Sequence, residues 1–223
     1  MRMFRKALIF LWGKIIFPPC CFICGKLTNK IMCKECKKEI YKEAVCKVEC
    51  INDCNIYFDK HIYFFLYKEE IRNLILDYKF NDKSYLYKIF SKIIIKNEKI
   101  CGILKKYDII IPVPIHEKRK KQRGYNQSEL IAKELAINID NLEYENNILQ
   151  KTKNTLAQSS LSKDKRKENV QNVYKILNKE KIRNKKIIVF DDVYTTGSTA
   201  NEISKLLKQN GAKKVIVLTI AKD

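Results

Sequence analysis

Two kinds of apolar pattern alternate along the chain, and together they predict an α/β domain. Continuous apolar runs rich in β-branched residues are typical of buried strands, whereas apolar residues spaced three and four apart are typical of helices packed on a sheet. Strands are predicted within 56–67, at 107–111, 187–190 and 215–220, and helices at 69–80, 83–97, 128–136 and 200–210. In such open sheets, ligands bind at the carboxyl ends of the strands.

A strand-turn-helix segment late in the chain combines two acids with a hydroxyl-rich turn. The apolar run 187–190 is followed by Asp191, Asp192, Val193, Tyr194, Thr195, Thr196, Gly197, Ser198 and Thr199. Backbone N–H groups and hydroxyls at a helix N-terminus attract an anion such as phosphate. The two carboxylates can accept hydrogen bonds from vicinal hydroxyls or reach a Mg²⁺ shell. The segment therefore predicts a site for a ribose 5-phosphate.

This segment resembles the signature with which type I phosphoribosyltransferases bind phosphoribosyl pyrophosphate (PRPP). In that signature, paired acids and a Thr-Thr-Gly turn hold the ribose hydroxyls and the 5-phosphate. An ordinary strand-turn-helix with a Ser/Thr cap would explain the hydroxyls but not the acids beside them. A Walker A loop is excluded, because the segment does not contain the Gly-Lys-Ser/Thr of such loops.

A second turn follows the strand at 107–111. Pro112 and Pro114 stiffen the backbone at the carboxyl end of this strand, so the turn can face the same pocket as Asp191. A basic segment hinged by Gly124 comes next, with the cations Lys118, Arg119, Lys120, Lys121 and Arg123. We expect a mobile cationic loop that folds over a diphosphate; the alternative is a solvated basic loop.

Nine cysteines in a long chain without a signal peptide favour metal binding over disulfides. Two Cys-x2-Cys pairs separated by eight residues have the spacing of a four-thiolate zinc site, with the ligands Cys21, Cys24, Cys33 and Cys36. Cys20 could replace Cys21 only with a wider loop, and free buried cysteines are the alternative. On a helix, Cys46, Cys50 and Cys54 would share one face, and could form a second site with Cys101 or His61 or remain packed thiols.

The net charge of +20 indicates a polyanionic partner or an acidic membrane surface, although a generally Lys-rich composition would give the same excess. The segment 1–19 is apolar and basic. Its uninterrupted apolar run is shorter than the roughly 18 residues that a transmembrane helix needs. We expect an amphipathic segment that docks on the core or lies on a membrane. The expected location is cytoplasmic, with a peripheral position at the membrane as the alternative.

Five features, in this order along nearly the whole chain, resemble the ComF (ComFC) family of competence proteins. They are the two cysteine pairs, the Pro112–Pro114 turn, Arg119 with 123–127, the polar segment 155–169, and the acids and turn at 191–199. The resemblance implies a type I phosphoribosyltransferase-like (Rossmann-like) parallel sheet with helices on both faces, plus a small N-terminal zinc module. The expected organisation is an amphipathic segment at 1–19, the zinc module at 20–54 and the phosphoribosyltransferase-like domain at 55–223.

The resemblance also implies roles for individual residues. Asp191 and Asp192 would hold the ribose hydroxyls, 195–199 the 5-phosphate, and Val113 with Pro114 the pyrophosphate, while 119–127 would form a flexible lid. Structural Zn²⁺ and PRPP-bound Mg²⁺ would be the cofactors. Many members of the family carry a second group of paired cysteines. The cysteines at 46, 50 and 54 do not have this paired spacing, so the resemblance does not imply a second zinc ion in this chain.

Two functions remain open. The likeness and the basic runs, above all 118–123, predict handling of incoming single-stranded DNA in natural transformation, alongside a helicase of the same operon, by a protein that keeps a PRPP site. The alternative is an active phosphoribosyltransferase. In that case Asp191, Asp192 and Mg²⁺ would fix PRPP, Arg119 and Arg123 would stabilise the departing pyrophosphate, and an unknown base or amine would accept the ribose.

Overall fold

The computed structural model describes residues 18–153 and 172–223. The chain divides into two compact units, residues 1–43 and 44–223. The expected zinc module extended to residue 54, whereas residues 47–50 form a strand in the sheet of the larger unit. The amphipathic segment expected at the N-terminus, up to residue 17, and the polar segment 155–169 lie outside the described residues.

The described part of the N-terminal unit, residues 18–43, contains a tight turn and helix α1 (Lys34–Glu43). Gly25 has a φ of +74°, and its N–H donates to the carbonyl of Cys21 at 3.0 Å. This backbone region favours glycine, so Gly25 closes the turn between the first two cysteines of the paired set without steric strain. Helix α1 buries Cys36 and Ile40.

The larger unit alternates strands with helices, as the apolar pattern predicted. Its elements within residues 44–153 and 172–223 are β1 (Lys47–Cys50), β2 (Lys60–Leu66), α2 (Glu69–Phe80), a 3-10 turn (Ser84–Leu86), α3 (Tyr87–Ile95), α4 (Glu98–Leu104), β3 (Ile109–Pro112), α5 (Glu117–Arg123), α6 (Gln127–Asn138), β4 (Glu143–Tyr144), β5 (Leu149–Lys151), β6 (Tyr174–Ile176), β7 (Lys186–Tyr194), α7 (Ser198–Gln209) and β8 (Lys214–Lys222).

The main sheet has the strand order β1-β2-β8-β7-β3-β4, in which only β1 is antiparallel to its neighbour. The central strands are buried at 187–190 in β7 and at 215–221 in β8, because helices cover a parallel sheet. Helix α7 packs Ala200, Ile203 and Leu207 into the core beside Val189 and Val217. The mainly parallel α/β architecture is therefore confirmed.

The structure differs from two local expectations in this unit. The segment 83–97 is not one helix, because a 3-10 turn precedes α3 and α3 ends at Ile95. Cys46, Cys50 and Cys54 do not share a helix face, since Cys50 lies in β1 and Cys54 in a turn. Residues 47–50 form a strand because they pair with β2, although the spacing of these cysteines is also compatible with a helix.

Strands β5 and β6 pair with each other as a separate antiparallel sheet.

Within the described ranges, no helix combines the length and the apolar character that crossing a membrane would require.

Candidate functional site

Asp191 and Asp192 lie towards the carboxyl end of β7, beside the end of β3. The N–H of Val113 donates to the carbonyl of Phe190 at 2.8 Å and so joins the proline turn to the strand that carries the acids. Strand β7 does not stop before the acids, because pairing with β8 continues to Tyr194. The two acids therefore lie within the part of β7 that pairs with β8, and Asp191 is opposite Thr219.

The side chain of Asp191 is half-buried. Burial, and next the charge of Asp192, raise its pKa to about 7. The backbone N–H of Asp192 donates to Oδ1 of Asp191 at 2.9 Å, and Ser128 Oγ lies 3.4 Å from the same oxygen. A carboxyl group with this pKa can hold or release a proton near neutral pH, which is common at functional sites.

Lys79, at the end of α2, supplies the counter-charge. Its Nζ lies 2.8 Å from Asp192 Oδ1, and the side chains are 19% and 15% exposed. Lys79 also opposes the rise in the pKa of Asp191. Sequence reasoning missed this residue, because the apolar spacing of 69–80 indicates only which side of α2 is buried and gives no tertiary partner for a lysine.

The hydroxyl-rich turn leads directly into α7. Gly197 precedes the helix with a φ of +75°, and its carbonyl accepts the N–H of Asn201 at 2.8 Å. The hydroxyls of Thr196 and Ser198 are 2.8 Å apart. Helix α7 begins at Ser198, two residues before the predicted start. The hydroxyls and the helix N-terminus therefore lie together, as an anion site requires.

Tyr194 fills the inside of this turn. A Cβ placed on Gly197 would lie 2.2 Å from the Tyr194 hydroxyl, so the two residues are in close contact. The Tyr194 ring stacks on buried His61, with ring centroids 4.1 Å apart. A space of about 10 Å³ remains among Asp191, Thr195, Thr199 and their neighbours. The turn is therefore tightly packed in this conformation.

The proline turn borders a separate and larger cavity of about 180 Å³. Pro114, Lys120, Asn126 and Lys151 are among its lining residues. Asn126 donates from Nδ2 to the carbonyl of Val113 at 3.0 Å, which fixes the turn against the start of α6. Burial, and next the charge of Arg119, lower the pKa of Lys151, whereas Asp191 raises it. Lys151 therefore lines the cavity and also interacts electrostatically with Asp191.

The basic segment forms helix α5 instead of the expected loop. His116 accepts the N–H of Lys118 at the start, and Gly124 ends the helix with a φ of +79°. These two caps stabilise a helix that has no apolar periodicity to predict it. The side chains of Lys118 and Lys121 are exposed, whereas Lys120 pairs with Glu129 at 3.2 Å.

Arg123 is the last residue of α5, and the charge of Asp192 acts on it. Its Nη1 donates to Gln127 Oε1 at 2.5 Å, and its guanidinium lies 4.9 Å from the centre of the Phe80 ring. Burial lowers the pKa of Arg123, and the charge of Asp192 opposes this. The side chain is therefore held in place beside the site.

The four paired cysteines converge in the N-terminal unit. The sulfur atoms of Cys21, Cys24, Cys33 and Cys36 all lie within 4.8 Å of one another and could hold a metal ion. Cys21, and not exposed Cys20, belongs to this set. No second group of three or more possible ligands occurs within 18–153 and 172–223. Cys101 instead donates to the carbonyl of Ile95 at 3.2 Å.

The sequence matches a protein family profile and several known proteins. A family profile described as phosphoribosyl transferase domain matches residues 126–223. Competence protein F of Haemophilus influenzae is 30% identical over 86% of this chain and 90% of its own length. DNA utilization protein YhgH of Shigella flexneri is 31% identical over 68% of this chain and 66% of its own.

Among solved structures, glutamine phosphoribosylpyrophosphate amidotransferase from B. subtilis matches 60% of this chain and 25% of its own chain. The sequence identity is 19% and the TM-score is 0.39.

Proposed function

Because the chain belongs to the competence protein F (ComF, ComFC) family and contains a phosphoribosyltransferase domain, we propose that it handles incoming single-stranded DNA in natural transformation and binds PRPP. A helicase of the same operon would act beside it, in the cytoplasm or at the membrane surface. Zn²⁺ would stabilise the N-terminal unit through Cys21, Cys24, Cys33 and Cys36, because four thiolates suit tetrahedral zinc.

The observation that carries the PRPP part is the placement of Asp191 and Asp192 beside the turn that opens α7. The turn offers hydroxyls and a helix N-terminus to the 5-phosphate, and the acids offer acceptors to the ribose hydroxyls. Carboxylate oxygens also suit Mg²⁺, which PRPP would bring with its diphosphate. Arg123 and Lys79 add positive charge near the acids, which favours a polyanionic ligand.

The DNA part is supported by the net charge of +20 and by the cations of α5. Five of its seven residues are Lys or Arg, and the side chains of Lys118 and Lys121 reach solvent. Contacts of this kind with phosphates release counterions, so binding should weaken as salt rises.

The test of the DNA part is fluorescence anisotropy of a labelled oligo(dT) titrated with the zinc-loaded protein at several salt concentrations. We expect the logarithm of the affinity to fall linearly with the logarithm of the salt concentration, by about 0.7 for each phosphate contacted. Replacing Lys118 and Lys121 by Gln should make the slope shallower. Affinity that does not change between low and moderate salt would contradict electrostatic binding.

An active phosphoribosyltransferase is the second candidate, and the cavity of about 180 Å³ favours it. This cavity adjoins the proline turn, and its polar lining residues could hold an acceptor base or amine. Arg119 and Arg123 would then stabilise the charge of the departing pyrophosphate. Release of pyrophosphate from Mg²⁺-PRPP in the presence of candidate bases and amines tests this activity, and Asp191→Asn should abolish it.

A further inference from the structure

Phe80 places an aromatic ring in solvent at the end of α2. Its exposed fraction of 65% is the largest of any aromatic side chain in the described part of the chain. A single exposed apolar residue is common on protein surfaces and indicates nothing by itself. The position of Phe80, next to Lys79 and opposite Arg123, is what distinguishes it.

The ring is supported on one side. The guanidinium of Arg123 lies 4.9 Å from its centre, and Arg123 is itself fixed by its hydrogen bond to Gln127. A cation over an aromatic face is attracted to the ring and limits its motion. Phe80 is thus a preorganised ring with most of its surface free.

The helix end that carries Phe80 is also fixed. The Tyr125 hydroxyl donates to the carbonyl of Tyr78, and the Tyr78 hydroxyl donates to the carbonyl of Gln127 at 2.8 Å. The Nε2 of Gln127 donates to the carbonyl of Lys79 at 3.5 Å. These bonds join the end of α2 to the start of α6, so Phe80 lies at a defined place beside the ion pair of Lys79 and Asp192.

The surroundings are positively charged. Helix α5, which ends at Arg123, has Glu117 as its single acid against five cations. Asp77 near the end of α2 is paired with Lys83, with 2.6 Å between Oδ2 and Nζ. Lys120 of this helix pairs with Glu129 at 3.2 Å, whereas the side chains of Lys118 and Lys121 are exposed. A ring beside exposed cations is the combination with which proteins bind single strands, because bases stack on the ring and phosphates contact the cations.

We propose that Phe80, supported by Arg123, is a stacking platform for one base of single-stranded DNA, with the phosphates next to that base lying along α5. The proposal rests on the proposed function and adds the place of contact. It also places a DNA base beside the ion pair of Lys79 and Asp192.

The test compares Phe80→Leu with the unchanged protein, because leucine keeps the apolar bulk and removes the aromatic face. An oligo(dT) carrying 2-aminopurine reports stacking by a loss of fluorescence. We expect Phe80→Leu to lower the affinity about tenfold and to remove this quenching. The slope of affinity against salt should stay the same, since no charge is lost, whereas Lys121→Gln should reduce it by about 0.7.

Tyr41→Leu is the matched control. Tyr41 is 38% exposed, and the ammonium of Lys37 lies 5.6 Å from its ring centre, but it belongs to the N-terminal unit. Its replacement should leave both readouts unchanged. Equal affinity and quenching in Phe80→Leu, or an equal loss in Tyr41→Leu, would overturn the platform. No DNA binding by the unchanged protein would overturn the proposed DNA function together with the platform.

Calorimetry of Mg²⁺-PRPP separates the platform from the PRPP site. Phe80→Leu should bind PRPP as the unchanged protein does, since no charge is lost and Arg123 keeps its hydrogen bond to Gln127. A loss of PRPP affinity equal to the loss of DNA affinity would show that Phe80 supports the PRPP pocket and would overturn the platform.

Discussion

The ammonium of Lys79 lies 2.8 Å from Oδ1 of Asp192, in a pair whose side chains are 19% and 15% exposed. An ion pair this far from water depends on both partners, because either charge alone would be costly to bury. Asp191 next to it has no ion pair of its own in the described residues, and its pKa is raised to about 7. The two acids therefore differ in chemistry although they are adjacent in sequence.

Lys79→Met should weaken binding of Mg²⁺-PRPP by about tenfold, because it removes a cation beside the polyanionic ligand and leaves the charge of Asp192 uncompensated. Isothermal titration calorimetry measures the change. Lys83→Met is the matched control, since Lys83 pairs with Asp77 at 2.6 Å and not with the two acids. A similar loss in both variants would mean that total charge, and not the Lys79 pair, determines affinity.

Asp191→Asn should increase stability at neutral and higher pH. The folded pKa of Asp191 is about 7, against about 3.9 in the unfolded chain. The folded state therefore holds the proton more tightly, and stability falls as pH rises from about 4 to about 7. Asparagine removes this cost, so the gain should be on the order of 2 kcal/mol at pH 8 and should disappear towards pH 4.

Urea unfolding of both proteins at pH 5 and pH 8 checks this prediction. Asp192→Asn is the control, because it breaks the pair with Lys79 and should destabilise the protein. If Asp191→Asn is no more stable than the unchanged protein at pH 8, the carboxyl group is not held protonated by its surroundings.

Gly197→Ala should prevent phosphate binding and lower stability by roughly 1–3 kcal/mol. The added Cβ would lie 2.2 Å from the Tyr194 hydroxyl, and a φ of +75° is strained for alanine. Thermal unfolding and PRPP calorimetry measure the two effects. Gly102→Ala is the control, since nothing lies within 4 Å of its added Cβ and the residue is in α4; it should be neutral or stabilising by up to about 1 kcal/mol.

Cys24→Ser should lower the zinc content from about one ion per chain and unfold the N-terminal unit, because four-thiolate sites commonly supply the folding energy of small modules. Metal analysis and hydrogen exchange of residues 18–43 give the two readouts. Cys50→Ser is the control, since exposed Cys50 lies outside the four-cysteine group. Full zinc content in Cys24→Ser would exclude the four-thiolate assignment.

Much of the sheet could be predicted from the apolar pattern. The strand predicted at 215–220 is β8, extended to 214–222 because it pairs with both β2 and β7. Helix α2 has the predicted bounds of Glu69–Phe80. Long periodic segments with strong apolar character depend little on tertiary contacts, so their type can be predicted from the sequence.

The contacts that define the site were harder to predict. Lys79 reaches Asp192 across many residues of sequence, and Tyr194 occupies the turn because it stacks on His61. Both contacts follow from the order of strands and helices in space, which local patterns do not encode. The short strands β5 and β6 were also missed, because three residues each are too few to show alternation.

The PRPP site is tested most directly by calorimetric titration of Mg²⁺-PRPP into the zinc-loaded protein, with the double variant Asp191→Asn/Asp192→Asn as control and with oligo(dT) absent or present. We expect saturable binding by the unchanged protein, none by the double variant, and binding that persists with DNA present. Absence of PRPP binding by the unchanged protein, or equal binding by the double variant, would show that Asp191 and Asp192 do not form a PRPP site.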